Sequence, residues 1–296
     1  MTTGIHHVTG ITANVQANVD FYVGVLGLRL VKRTGGYEDA EQLHLFYGDA
    51  AGSPGSLVSF LVWENGGRGR VGHGQVAEIG FAVPTASIGD WITRAMDARV
   101  PVEGPKREFG ETVLRLKDPD NLTIKLVGSD RPAVAPLPDP IAPTRLHSVA
   151  ILSEKPIETA EFLTRFGYQD GPTEGAIQRM ISDNDVIDVR DAAGFVPSVP
   201  GAGILDHVAF RAPDADVLRQ MRLNLKEIDG ITNVHDRKYF LSLYVREPAG
   251  TLIEYATDAP GVTVDEPLVQ LGQTLFVPES DASTVRSAGR GKVSRA

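Results

Sequence analysis

Residues 5–9 read Ile-His-His-Val-Thr, and residues 205–209 read Leu-Asp-His-Val-Ala. The second copy leads on to Glu-Pro-Ala-Gly-Thr-Leu-Ile-Glu-Tyr at 247–255. Each phrase is a short apolar run of strand character bounded by turn residues. His7, His207 and Glu254 therefore come from three separate strands. Two imidazoles and one carboxylate are a donor set for a divalent metal with open coordination positions. Metal chemistry is the leading expectation.

The twin phrase belongs to a fourfold pattern. Apolar strands begin near His7, Glu78, Ser148 and His207, at roughly even spacing. A helix-like stretch follows each. Val15, Val19, Tyr22 and Val23 fall at helical spacing in the first; Ile88, Ile92, Ala95 and Met96 in the second; Val217, Leu218, Met221 and Leu225 in the fourth. Asp214 is placed to cap the last of these. The third, around Ile157 and Leu163, is less regular. β-rich sequence such as Thr112–Leu116 and Phe240–Val245 comes next, so each unit reads β-α-β-β-β. The expected class is α+β, four βαβββ modules in two tandem domains. Residues 1–131 form the first domain and 144–278 the second. Residues 132–143, with five prolines, form the linker, and 279–296 a flexible tail.

Two hairpins share one pattern, Asp118-Pro119-Asp120-Asn121-Leu122 and Glu247-Pro248-Ala249-Gly250-Thr251. Proline suits the first corner of a type I turn, and Asn or Gly the left-handed position after it. Residue 247 then faces 251, so Tyr244 faces Glu254 on the same side of the sheet. Aligning the repeats also tests the metal set. The slot of His7 and His207 holds Glu78 in the second module and Ser148 in the third; the slot of Glu254 holds Lys125 in the first domain. A cation cannot be a ligand, so Glu78 and Lys125 are expected as an ion pair. Modules one and four must share the metal cleft. His147 has the opposite strand parity and should face away from it. Asn65–Gln75, rich in glycine, reads as a flexible connector; no Gly-Lys-Ser/Thr follows to make it a phosphate loop.

Composition narrows the partners. Over 296 residues, 29 Lys plus Arg against 38 Asp plus Glu give a net charge of −9. That argues against nucleic acid or an anionic membrane surface. The absence of cysteine excludes disulfides, zinc–thiolate sites and thiol nucleophiles. No signal-peptide pattern opens the sequence and no apolar run reaches the ~20 residues of a membrane span, so a cytoplasmic protein is expected. A homo-oligomer stays open.

These residues resemble the vicinal oxygen chelate superfamily, which includes glyoxalase I, extradiol dioxygenases and fosfomycin-resistance proteins. Over about residues 4–278 the chain is most similar to the branch of ring-cleaving dioxygenases that open hydroquinones. His-His-Val-Thr at 6–9, Leu-Arg-Leu-Val-Lys-Arg-Thr at 28–34, His-Leu-Phe-Tyr-Gly-Asp at 44–49, Arg-Glu-Pro-Ala-Gly at 246–250 and Glu-Tyr-Ala-Thr-Asp at 254–258 carry the resemblance. It implies paired modules with mixed sheets curled around a metal cleft. It also implies Fe(II), with Mn(II) or another divalent metal as the alternative, held by His7, His207 and Glu254. O2 is the implied co-substrate and a small aromatic compound the implied substrate. His6, Thr9, Arg237 and Tyr244 fall on the branch's supporting catalytic positions. Strand parity suits Thr9 and, through the hairpin register, Tyr244; His6 has the wrong parity unless its strand bulges. Asp206 departs from the branch, which often carries a histidine there.

Three functions compete. The first is an O2-using dioxygenase opening a hydroquinone-type or catechol-type ring. The second is a glyoxalase-like metal-dependent lyase or isomerase. That chemistry needs a carboxylate base on the last strand of the paired module, and Ser56–Trp63 contains no acid. The third is a binding protein without turnover. His44, His73 and His235 have no partner slot and are read as non-ligands, with His44 expected to line the cavity.

Overall fold

The computed structural model describes residues 3–35 and 42–277. The tail expected over 279–296 lies outside them. Module one runs β1 (Ile5–Thr12), α1 (Val15–Val19), β2 (Arg29–Gly35), β3 (Leu43–Gly48) and β4 (Leu57–Val62). Module two runs β5 (Gln75–Val83), α2 (Ile88–Asp97), β6 (Val102–Glu108), β7 (Glu111–Lys117) and β8 (Thr123–Gly128). Module three has β9 (Arg145–Ser153), α3 (Pro156–Thr164), β10 (Gln169–Glu174), β11 (Ile177–Ile181) and β12 (Val186–Asp191). Module four has β13 (Leu205–Ala212), α4 (Ala215–Asn224), β14 (His235–Asp236), β15 (Phe240–Arg246) and β16 (Leu252–Pro260). A short β17 (Leu275–Phe276) returns to pair with β2.

Local chemistry accounts for these boundaries. Asp214 accepts from the backbone N–H groups of Asp216 and Val217, which caps α4. Asn14 caps α1 by accepting from Ala17 N at 2.9 Å. That helix continues as a π-helical turn over Asp20–Val25, so its apolar spacing extends beyond the regular helix. Asn121 (φ 73) and Gly250 (φ 103) take the left-handed positions of the two hairpins.

The strands form two curled mixed sheets. One has the order β14-β15-β16-β13-β1-β4-β3-β2-β17, the other β10-β11-β12-β9-β5-β8-β7-β6. Modules one and four thus join along an antiparallel β1–β13 seam, and modules two and three along β5–β9. Each sheet takes one module from each half of the chain. One continuous core, including Val8, Phe60, Trp91, Leu126 and Phe210, fills the apolar side of both sheets. Alternation along β1 sends Val8 into that core and His7 and Thr9 to the other side.

Two connectors are more tied down than their composition suggests. The glycine-rich segment after β4 pairs with residues 196–202, through Gly69 N to Ala202 O and Arg70 N to Val199 O, both 2.9 Å. Glycine permits the approach: a Cβ at Gly72 would stand 2.2 Å from the Val196 carbonyl oxygen. The expectation of a free connector is corrected accordingly. The proline-rich linker is pinned where Trp91 Nε1 donates to the Ile141 carbonyl at 3.0 Å and Arg94 pairs with Asp139 at 2.7 Å.

Candidate metal centre

Neighbouring strands bring three side chains to one face. Thr9 stands opposite His207 and His7 opposite Ala209 across the β1–β13 seam, and Ala209 lies beside Glu254 on parallel β16. His7, His207 and Glu254 are all buried, and their ligating atoms lie within 4.8 Å of one another. Glu254 Oε2 is 3.0 Å from Nε2 of His7 and 3.0 Å from Nε2 of His207.

Those short distances do not amount to hydrogen bonds. His207 Nε2 and both Glu254 oxygens are buried without a partner in hydrogen-bonding geometry. Unpaired buried donors and acceptors are costly. Two imidazole nitrogens converging on one carboxylate oxygen suit a shared cation, so the donor set fits a divalent metal held from one side. Burial pushes the Glu254 carboxyl up, but the facing imidazoles outweigh it and hold the group well below the usual carboxylate range. Burial pulls His207 down, yet its hydrogen bond to Asp206 and the charge of the nearby Glu254 carboxylate raise it to about 9.

Both histidines are anchored from behind. Asp206 Oδ2 is 2.7 Å from His207 Nδ1, which leaves Nε2 facing Glu254. His6 Nδ1 meets His7 Nδ1 at 2.9 Å and does the same for His7. A second partner on a ligand histidine fixes its ring and tautomer. The β1–β13 register shifts between Ile5 and His7. This bulge overrides simple alternation and brings His6 beside His7. Burial first, then the charge of His7, lowers His6 to about 3, so it is a neutral ring. The contact made by Asp206 was missed in the sequence, where that residue registered only as a departure. Adjacent strand residues normally diverge, so alternation gave no hint of it.

Tyr244 lies directly opposite Glu254, as the hairpin register requires. Its ring meets His207 edge-on at 5.5 Å, and the Arg237 guanidinium stands 5.6 Å from its centroid. Burial, reinforced by Glu254, raises the Tyr244 hydroxyl and keeps it protonated. Thr9 Oγ1 bonds Ser59 Oγ at 2.8 Å. Ser59 sits beside Thr9 on β4, at the place that Glu254 holds beside Ala209 in module four.

The triad, with Thr9, Asp206, Arg237 and Tyr244, lines a cavity of about 510 Å³. Phe46, Leu61, Trp63, Phe240 and Leu252 supply apolar wall. His44 and His235 line it as well. His44 Nε2 is buried without a hydrogen-bond partner. Burial, then the charges of His7 and His207, lowers it to about 3, so it too is neutral. His147 lies on the other sheet, with Nε2 2.8 Å from Glu111. The expected Glu78–Lys125 pair is corrected. Glu78 binds Arg115 at 3.0 Å, and Lys125 binds Asp188 at 3.1 Å. Arg115 lies directly across the ladder from Lys125 and takes the carboxylate that the lysine was expected to meet.

Known proteins are similar to this chain in sequence and fold. The Glyoxalase/Bleomycin resistance protein/Dioxygenase superfamily pattern matches residues 4–126. The Bacillus subtilis protein named "Putative ring-cleaving dioxygenase MhqO" is 35% identical over 288 residues, covering 94% of this chain and 91% of its own. The Chlorohydroquinone/hydroquinone 1,2-dioxygenase of Sphingobium indicum is 30% identical over 293 residues, covering 93% and 91%. A crystal structure of a Bacillus subtilis protein, 33% identical, superposes with a TM-score of 0.87 over 93% of this chain and 91% of that one. Glyoxalase I from Zea mays shares the fold, with a TM-score of 0.66 at 13% identity over 87% and 93%.

Proposed function

The chain belongs to the Glyoxalase/Bleomycin resistance protein/Dioxygenase superfamily, and from that premise we propose a non-haem Fe(II) dioxygenase that opens a hydroquinone-type ring with O2. The observation that carries the reading is the buried triad, three donors on one side, at the base of an apolar-walled cavity. His7, His207 and Glu254 would hold the metal, with Mn(II) as the alternative ion. When bound, such a metal would supply Lewis acidity toward a substrate hydroxyl and redox contact with O2.

The chain's own residues do the rest. Phe46 and Phe240 enclose the ring and exclude water. Arg237, beside Tyr244, balances negative charge developing on the ring oxygens. Tyr244, held protonated, is the proton donor nearest Glu254. His44, neutral, offers Nε2 as acceptor to the hydroxyl remote from the metal. His6 and Asp206 fix the ligand rings, and Thr9 with Ser59 closes the floor beside them. Both atoms of O2 enter the product, so no external reductant is needed.

A glyoxalase-type isomerase finds less support, because Ser59 occupies the position where its carboxylate base is needed. The test compares the Fe(II)-loaded protein on hydroquinone, catechol and a glutathione hemithioacetal. O2-dependent loss of hydroquinone supports the proposal. Hemithioacetal turnover without O2 overturns the reaction class, and cleavage of catechol alone overturns the substrate.

A further inference from the structure

The second sheet carries a cleft built on the same plan. Across the β5–β9 seam Glu78 faces Ala150 and Ser148 faces Gly80; Lys125 lies beside Gly80 on β8, and Asp188 beside Ala150 on β12. These four residues repeat the places of His7, His207, Glu254 and Ser59. An ammonium replaces the shared cation here. Lys125 Nζ is 3.1 Å from Asp188 and 3.7 Å from Glu108. Arg179 holds both oxygens of Asp188, at 2.7 and 3.0 Å, and Arg115 joins Glu78 to Glu108. Each of these carboxylates is already neutralised, so the cleft is not a metal site.

A cavity of about 330 Å³ nevertheless remains there. Two of its lining cations stand outside the network. The Lys117 ammonium bonds Thr123 Oγ1 at 2.7 Å, and Arg190 lies over the Phe195 ring at 6.0 Å. Neither has a carboxylate ion pair among the described residues. Arg115, Lys117, Lys125 and Arg190 outnumber Glu78, Glu108 and Asp188, which leaves a positive surplus inside a chain of net charge −9. Gln75, 4% exposed, lines the same cavity, and both its amide nitrogen and oxygen are buried without a partner. An unsatisfied buried amide is destabilising, and a hydrogen-bonding occupant would offset that. Val76, Leu152, Ile177 and Leu205 add apolar wall.

We infer that this second cleft is a non-catalytic binding site for a small carboxylate monoanion with an apolar body. Its charge is balanced by the surplus cation, and its polar end is hydrogen-bonded by Gln75. Benzoate is the probe, titrated calorimetrically into the full chain. One benzoate should bind per chain. Gln75→Leu should weaken binding at least tenfold, as should Lys117→Ala combined with Arg190→Ala. Benzamide, the neutral isostere, should bind at least tenfold more weakly than benzoate. The His7→Ala/His207→Ala double variant should bind benzoate unchanged. Circular dichroism establishes that each variant is folded, and Gln75→Glu, which adds a repelling charge, serves as the second test at that position. No saturable binding would overturn the inference. So would binding that survives Gln75→Leu and disappears in the double histidine variant, because the anion would then lie in the metal cleft.

Discussion

His7 and His207 meet diagonally across an antiparallel seam, ring centroids 5.5 Å apart and planes at 80°, with both Nε2 atoms close to the same oxygen of Glu254. The geometry depends on two strands from the first and last modules being neighbours. It also depends on the anchors behind the rings, because a free imidazole could turn its Nδ1 to the same position.

The triad should be indispensable for metal binding. His7→Ala, His207→Ala and Glu254→Ala should each lose most bound metal while remaining folded, since two donors hold a divalent ion poorly. His147→Ala should keep it, because that ring is held by Glu111 on the other sheet. Metal analysis of anaerobically purified variants gives the answer. Loss in His147→Ala with retention in His7→Ala would contradict the assignment.

Asp206 should act through His207. Asp206→Ala should weaken Co(II) affinity about tenfold or more, with Asp206→Asn recovering part of the loss. Titration of the cobalt absorption bands reads this independently of turnover. Unchanged affinity in both variants would remove Asp206 from the site.

Much of this architecture was legible in the sequence, for identifiable reasons. The repeated His-Val phrases, turn residues such as Gly250 and Asn121, and the Asp214 cap are local signals. Each acts through its own few neighbours. The Tyr244–Glu254 register followed from one hairpin. The rest depends on departures from regular strand geometry or on pairing between distant segments. His6, named in the sequence on the condition of a bulge, reaches His7 through one, and Asp206 bonds its own neighbour, which alternation does not foretell. Arg115 took Glu78 from across the ladder, which no alignment of ligand slots reveals. Gly69 and Gly72 looked like slack until residues 196–202 came to lie against them.

His44 should discriminate between ring isomers. A para-hydroquinone with one oxygen at the metal centre sends the other toward the cavity wall, whereas both catechol oxygens stay near the centre. His44→Phe should therefore raise KM for hydroquinone about tenfold, the value of one buried hydrogen bond. Catechol kinetics should change much less. Equal effects on both substrates in steady-state assays would place His44 elsewhere in the reaction.

Lys125 is 3% exposed and neutralises Asp188, which is equally buried. Lys125→Ala should destabilise the protein by about 1.5–3 kcal/mol, because Asp188 loses one of the two cations that hold it. Urea denaturation measures the loss. A change below about 1 kcal/mol, the size of a surface pair, would show that Arg179 alone suffices for Asp188.

The most direct test is an oxygen electrode trace on the Fe(II)-loaded protein with limiting hydroquinone. The account predicts one O2 consumed per ring opened, and none by the His7→Ala, His207→Ala or Glu254→Ala variants. Ring opening without O2 uptake, or full uptake by a triad variant verified free of metal, would contradict it.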